Sequence, residues 1–228
     1  MWADALLIIA AYLVGSIPVV YLLGRVRGFD LSREEDMHIS LWRKVGRREG
    51  FIGISWDVAK GGVAVVIVQR GLDHGWGTAV GVGLAMVVAR LWPVFLKFRG
   101  EKANTTSLGV ELALGYQAWA FVLVPIITGA VVRTAPRLLN SSQSASERLK
   151  FGGPPSLSLP LGMITGFALF PVGCWYYELD GLVVTAGAVI FGLLVFKRVA
   201  TGLRADLRTA SDRKRILLNR ALFDRSRT

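Results

Sequence analysis

Asp57 and Lys60 stand three residues apart inside a long apolar stretch. On a helix that spacing brings a carboxylate and an ammonium together, and at a membrane boundary the two neutralise each other. A structural ion pair and a pair that positions a substrate both fit. Arg90 and Glu111 also interrupt apolar stretches, where an ionisable group needs a partner or a purpose. Arg90 has two uses open to it: holding a phosphate at depth, or pairing with an acid such as Asp57 or Glu111. Lys97, Arg99 and Lys102 follow at the end of an apolar run. A lysine there meets a phosphate as a point charge and an arginine as a fork, although the same residues also serve as plain anchors on the basic side of a bilayer.

The elements that must position these groups are membrane helices. Ala5 to Gly24, Leu112 to Val132 and Phe151 to Tyr177 carry no acid or base, and each reaches the roughly 20 residues that cross the hydrocarbon layer. The composition agrees: 53% of residues are hydrophobic, 19% are charged and the mean hydropathy is +0.48. The first segment is too long, and too poor in early basic residues, for a cleaved signal peptide, so it is expected to be a permanent span. The net charge of +11 raises nucleic acid as a partner, but basic residues of a membrane chain face the anionic cytoplasmic leaflet, and nucleic acid is not expected. Cys174 is the one cysteine, which excludes an intramolecular disulfide and offers no metal or redox site.

Basic residues set the topology. Arg25, Arg27, Arg33, Arg43, Lys44, Arg47 and Arg48 follow the first span; Lys97, Arg99 and Lys102 follow the third; Arg133, Arg137, Arg148 and Lys150 precede Pro154; and many more follow Phe196. If all face the cytoplasm, two crossings must lie between Lys102 and Arg133, giving about seven in total. Thr105 to Gly115 is then a half-helix, since such a piece reaches only about 17 Å, and short glycine-interrupted segments line sites in membrane proteins. A single span from Leu108 to Val132 competes, but leaves a basic segment on the wrong side. The expected fold is all-α, a polytopic membrane helix bundle, with residues 1–204 as the membrane domain and 205–228 as a basic cytoplasmic tail. Gly77 with Gly81 and Gly162 with Gly166 have the spacing of closely packed helices, and Asn140 to Ser146 reads as a loop.

Three ordered strings carry a family resemblance: Gly15-Ser16-Ile17-Pro18 with Tyr21 and Gly24; Asp57-x-x-Lys60-Gly61; and Pro93-Val94-Phe95-Leu96-Lys97-Phe98-Arg99-Gly100 followed by Lys102, Thr106, Ser107 and Gly109. Together they resemble the bacterial acyl-phosphate-dependent glycerol-3-phosphate acyltransferases, the PlsY-type family. The resemblance implies a seven-span fold without metal or other cofactor, in the bacterial plasma (inner) membrane, with the N-terminus outside and the C-terminus cytoplasmic. It implies transfer of an acyl group from acyl phosphate to glycerol 3-phosphate, or to a related small phosphorylated acceptor, beside membrane lipid. Such a reaction needs donors for two phosphates, stabilisation of an oxyanion and an acceptor for the hydroxyl proton. Lys102 and Ser16, which lie in these strings, are the expected catalytic residues, together with His38 from the segment between the first two spans. Arg43, Asp57, Lys60, Arg90, Lys97, Arg99, Gly100 and Thr106 are expected to bind phosphate or substrate. Pro18 kinks or ends a helix and orients Ser16, which equally bonds its own helix.

The sequence departs from the family pattern where a glycine-rich phosphate loop belongs, between the first two spans. No glycine occurs between Phe29 and Val45. Instead, Ser32 with Glu35 has capping-box spacing, and Met37, Leu41 and Val45 recur on one face, so Arg33 to Val45 is expected to be an amphipathic interfacial helix with Arg43 in the place of the loop arginine. Arg90 stands where the family places a histidine, and an arginine is no base near neutral pH. His38 and Glu101 are the replacements within reach of the altered loop, Glu101 being kept ionised, and so weakly basic, by neighbouring Lys102. Near the end, Phe196, Lys197, Arg198, Val199 and Thr201 replace an aromatic-basic-His-Arg-x-Asn pattern. Two functions therefore stay open: an acyltransferase with altered motifs, and a non-catalytic relative that binds lipid or a partner.

Overall fold

The computed structural model describes residues 2–32, 34, 36–139, 156–209 and 212–224. Every regular element described is helical. Among the described residues, six helical stretches are long and apolar enough to cross a membrane: Trp2–Val26, Arg47–Gly71, Trp76–Leu96, Tyr116–Pro136, Ser158–Tyr176 and Gly181–Ala200. The expected short segment is a separate helix of 11 residues, Asn104–Leu114, broken from its successor at Gly115, so the single span from Leu108 to Val132 does not form. The helices fall into two compact units, Met1–Tyr116 with Glu178–Ala186, and Gln117–Tyr177 with Gly187–Thr228.

The first unit holds α1 (Trp2–Gly15), α2 (Val19–Val26), α3 (Met37–Ser40), α4 (Arg47–Val66), α5 (Trp76–Leu91) and α6 (Asn104–Leu114). The first span is two helices because Pro18 has no N–H to give. Its neighbours turn inward instead, Ile17 N–H bonding Val14 O and Val19 N–H bonding Ile17 O. α3 begins four residues later than the sequence implies. Asp36, accepting the Ile39 N–H at 2.9 Å, is the cap; Arg33 and Glu35 lie outside the described residues. The chain then widens into a π-turn in which Gly46 N–H reaches Leu41 O at 3.0 Å. Met37 and Leu41 are buried with Val20 and Leu31, and Val45 packs against them, so the expected apolar face exists and is covered by protein.

α4 packs on α5 and α6, and α1 packs on α5. The contact of α4 with α6 is backbone on backbone, because a Cβ at Gly109 would overlap the Val58 carbonyl. α5 stops at Trp92-Pro93, the residue before proline being pushed out of helical geometry. A tight turn follows, Val94–Leu96, and then Lys97 (φ 53) and Phe98 (φ 62) in left-handed conformation. Gly100 lies so close to the Arg90 and Leu91 carbonyls that no side chain fits there.

The second unit holds α7 (Trp119–Leu138), α8 (Ser158–Tyr176), the later part of α9 (Gly181–Ala200), α10 (Leu203–Thr209) and α11 (Arg213–Phe223). Gly162 and Gly166 bring α8 against the carbonyls of Pro125 and Val122 on α7, as their spacing implies, whereas a Cβ at Gly77 meets nothing within 4 Å. Buried Arg198 donates to Pro160 O at 3.2 Å and to Ala221 O at 3.5 Å. The basic segment after 204 thus contains a helix, α11, that contacts α8. The loop expected from Asn140 to Ser146 lies outside the described residues.

Candidate functional site

Asp57, in the middle of α4, is the hub of the first unit. Its Oδ1 pairs with Lys60 Nζ at 2.8 Å, one helical turn on. Its Oδ2 lies 3.0 Å from His38 Nε2 on α3 and 3.0 Å from Arg90 Nε in the last turn of α5. The Asp57 and Arg90 side chains are 2% and 4% exposed, so the charges meet where water cannot screen them. Arg90 carries the network onward: its Nη2 is 2.5 Å from Glu101 Oε2 and 3.1 Å from His38 Nε2. Glu101 Oε1 accepts the backbone N–H of Met37. Lys60 Nζ also donates to Gly15 O at 3.2 Å, at the carbonyl end of α1, where a cation complements the helix dipole.

Two carboxyl groups, Asp57 and Glu101, therefore face two basic side chains, Lys60 and Arg90, with His38 between them. Burial pushes the Glu101 carboxyl above its ordinary range, against the pull of Arg90 and of His38. That is the opposite of the expected effect of Lys102. Arg90 meets acids, as one of its two open uses required, and the acids are Asp57 and Glu101.

Around the hub, buried Ser16 accepts the Val94 N–H at 3.4 Å, and the Tyr12 hydroxyl donates to Trp92 O at 2.7 Å. Both tie the broken first span to the turn after α5. Lys97 and Arg99 are exposed on that turn, Arg43 is exposed on the π-turn, and Lys102 is half-buried just before α6. Gly100 holds the turn against Arg90. Thr106 is fully buried in the first turn of α6. Its hydroxyl and those of Thr105 and Ser107 are buried with no hydrogen-bond partner, as are both carboxyl oxygens of Glu111. At α6 the first N–H groups have no carbonyl behind them, and Ala103 supplies no side-chain cap.

The structure thus joins His38, Asp57, Lys60 and Arg90 directly and sets Ser16 and Gly100 beside them. Sequence reasoning paired Lys60 with Asp57 but missed the backbone partners of Lys60 and Glu101, the Gly15 carbonyl and the Met37 N–H, which no residue type signals.

A polytopic α-helical membrane protein with a buried acid–base cluster beside a half-helix is the class this fold and site define. The family described as glycerol-3-phosphate acyltransferase matches residues 5–205, and the chain belongs to that family. It is similar to the glycerol-3-phosphate acyltransferase of Geotalea daltonii, 30% identical over 201 residues that cover 86% of this chain and 91% of the relative. The enzyme of the same name from Trichlorobacter lovleyi is 39% identical over 117 residues, 50% of this chain and 60% of the relative. That from Rubrobacter xylanophilus is 36% identical over 114 residues, 49% of this chain and 57% of the relative. The matched part of the chain therefore spans less than two thirds of these last two. Among solved structures, the crystal structure of PlsY (YgiH), an integral membrane glycerol 3-phosphate acyltransferase, in its glycerol 3-phosphate form aligns with TM-score 0.69 and 20% identity. It covers 91% of this chain and 93% of that one; at such identity the likeness speaks for the fold.

Proposed function

We propose that this chain is an integral membrane acyltransferase that moves the acyl group of an acyl phosphate onto the hydroxyl of glycerol 3-phosphate, with lysophosphatidate and inorganic phosphate as products. The observation that carries this reading is the first turn of α6. Three buried hydroxyls without partners, Thr105, Thr106 and Ser107, stand at the N-terminal end of the helix, shortly after Lys102. That is a donor set for a phosphate, and it takes over from the glycine-rich loop that the sequence lacks. Lys97, Arg99 and Arg43 supply exposed positive charge for the approaching head groups, and Asp57 with Lys60 holds the floor of the site.

In the reaction the acceptor hydroxyl oxygen attacks the acyl carbonyl carbon, the bond from that carbon to the phosphate oxygen breaks, and phosphate leaves with the bonding electron pair. The hydroxyl proton needs an acceptor, and this reading assigns that part to His38. In this reading the imidazole carries its proton on Nε2, 3.0 Å from Asp57 Oδ2, and keeps its lone pair on Nδ1. The carboxylate fixes that tautomer and stabilises the imidazolium that forms. Ser16 positions the backbone at Val94.

The remaining features of the proposal are a membrane domain over 1–204, a basic segment over 205–228, and a bacterial plasma membrane in which the N-terminus is outside and the C-terminus cytoplasmic. The distribution of Lys and Arg supports that orientation. A non-catalytic relative is the second reading, and one observation favours it: the buried cations Lys60 and Arg90 are already neutralised by Asp57 and Glu101. Purified chain in detergent, given acyl phosphate and glycerol 3-phosphate, decides between them. Lysophosphatidate and phosphate released in equal amounts, and lost in Lys102→Ala, support the enzyme. No turnover, under conditions in which the Geotalea daltonii relative works, supports the binding protein.

A further inference from the structure

Glu101 sits among donors. Its side chain is 12% exposed, and its two oxygens meet the Met37 N–H and Arg90 Nη2, with His38 Nε2 3.1 Å from that same nitrogen. Backbone N–H and guanidinium are groups that also receive a phosphate, whose oxygen-to-oxygen spacing is close to that of a carboxylate. Glu101 differs from the other acid of the cluster in how it is held. Asp57 is rooted in the middle of α4, whereas Glu101 lies in the connection between Leu96 and Asn104, outside any helix. Arg90 would not be stranded by its departure, because Nε keeps Asp57 at 3.0 Å. The charge count points the same way. Two acids face Lys60 and Arg90 with Glu101 in place, and without it Asp57 alone answers both.

We propose that Arg90 and the Met37 N–H form a niche for the phosphate of a phosphomonoester, and that Glu101 fills it as a resident stand-in which the ligand displaces. This deepens the reading above and rests on it for the identity of the ligand, glycerol 3-phosphate or acyl phosphate. The niche is distinct from the first turn of α6, which begins three residues after Glu101, so displacement of Glu101 frees the connection that leads into that turn.

The test is binding of inorganic sulfate, whose charge is constant between pH 5 and 8, to the full chain in detergent, read by calorimetry. Glu101→Gln keeps the shape and removes the competing charge, and is expected to bind sulfate at least about tenfold more tightly than the wild type. Adding Arg90→Gln to that variant is expected to abolish the gain. Unchanged or weaker affinity in Glu101→Gln, or a gain that survives loss of Arg90, overturns the proposal. Should the variants fail to fold, the wild-type protein still answers. The groups facing Glu101 are Arg90, His38, Asp36 and the Met37 N–H, and protonation of Glu101 must open the niche. Sulfate affinity is therefore expected to rise as pH falls, and to do so equally in His38→Gln; a flat profile in His38→Gln overturns the idea. Sulfate binding needs no turnover, so a chain that binds in this way yet transfers no acyl group sinks the acyltransferase reading alone.

Discussion

Asp57 is the residue on which most of the site depends, because it answers Lys60, Arg90 and His38 at once. Removing its charge leaves buried cations without a counter-charge, and breaking a buried pair in this way costs about 3–5 kcal/mol. Asp57→Asn is expected to lower the unfolding temperature in detergent by several degrees and to abolish acyl transfer, whereas His38→Gln is expected to cost transfer with a far smaller loss of stability. Comparing thermal unfolding with turnover for the two variants checks this. Glu101 provides a signature in pH. Its carboxyl titrates above the ordinary value of 4.5 in the folded chain, so the folded state binds this proton more tightly than the unfolded state. The stabilising contribution is present below that value and is lost as pH rises through the raised one. The unfolding temperature of the wild type is expected to fall relative to Glu101→Gln as the pH rises from about 4.5 to 8, and melting curves across that range measure it.

At the scale of elements, the approach of α6 to α4 sets how near the buried hydroxyls stand to the ionic cluster. A methyl group at Gly109 would run into the Val58 carbonyl, which belongs to a helix and cannot swing aside. Gly109→Ala is expected to destabilise by about 1–3 kcal/mol and to depress activity, while Gly77→Ala, with open space around it, changes neither; paired unfolding and activity measurements separate them. The same contrast marks what the sequence could disclose. The spacing of Gly162 and Gly166 identifies a real helix contact, and the apolar face of Met37, Leu41 and Val45 is where periodicity puts it. The start of α3 is not, since the cap comes from Asp36 rather than Ser32, and both fit the local pattern of polar residues before an apolar run. Asp57 with Lys60 is legible as a pair because i and i+3 face each other on any helix. Glu101 with Arg90 is not, because a turn through two left-handed residues and Gly100 closes that contact, and no periodicity describes such a turn.

For the whole molecule, hydropathy and the distribution of charge suffice to find the six long apolar helices and the short Asn104–Leu114 helix seen among the described residues, since both are properties of composition along the chain. Orientation is open to a direct check. Buried Cys174 leaves a low background for thiol labelling, so Leu179→Cys is expected to react with an impermeant maleimide from outside intact cells, and Gly28→Cys only after the membrane is opened. The reverse pattern would invert the proposed topology. The break at Ser16 to Pro18 has a consequence for biosynthesis. The Gly15 carbonyl at that break is answered by Lys60, a residue the ribosome has yet to add when the first hydrophobic segment enters the bilayer. The nascent segment therefore carries an unmet acceptor until the second arrives.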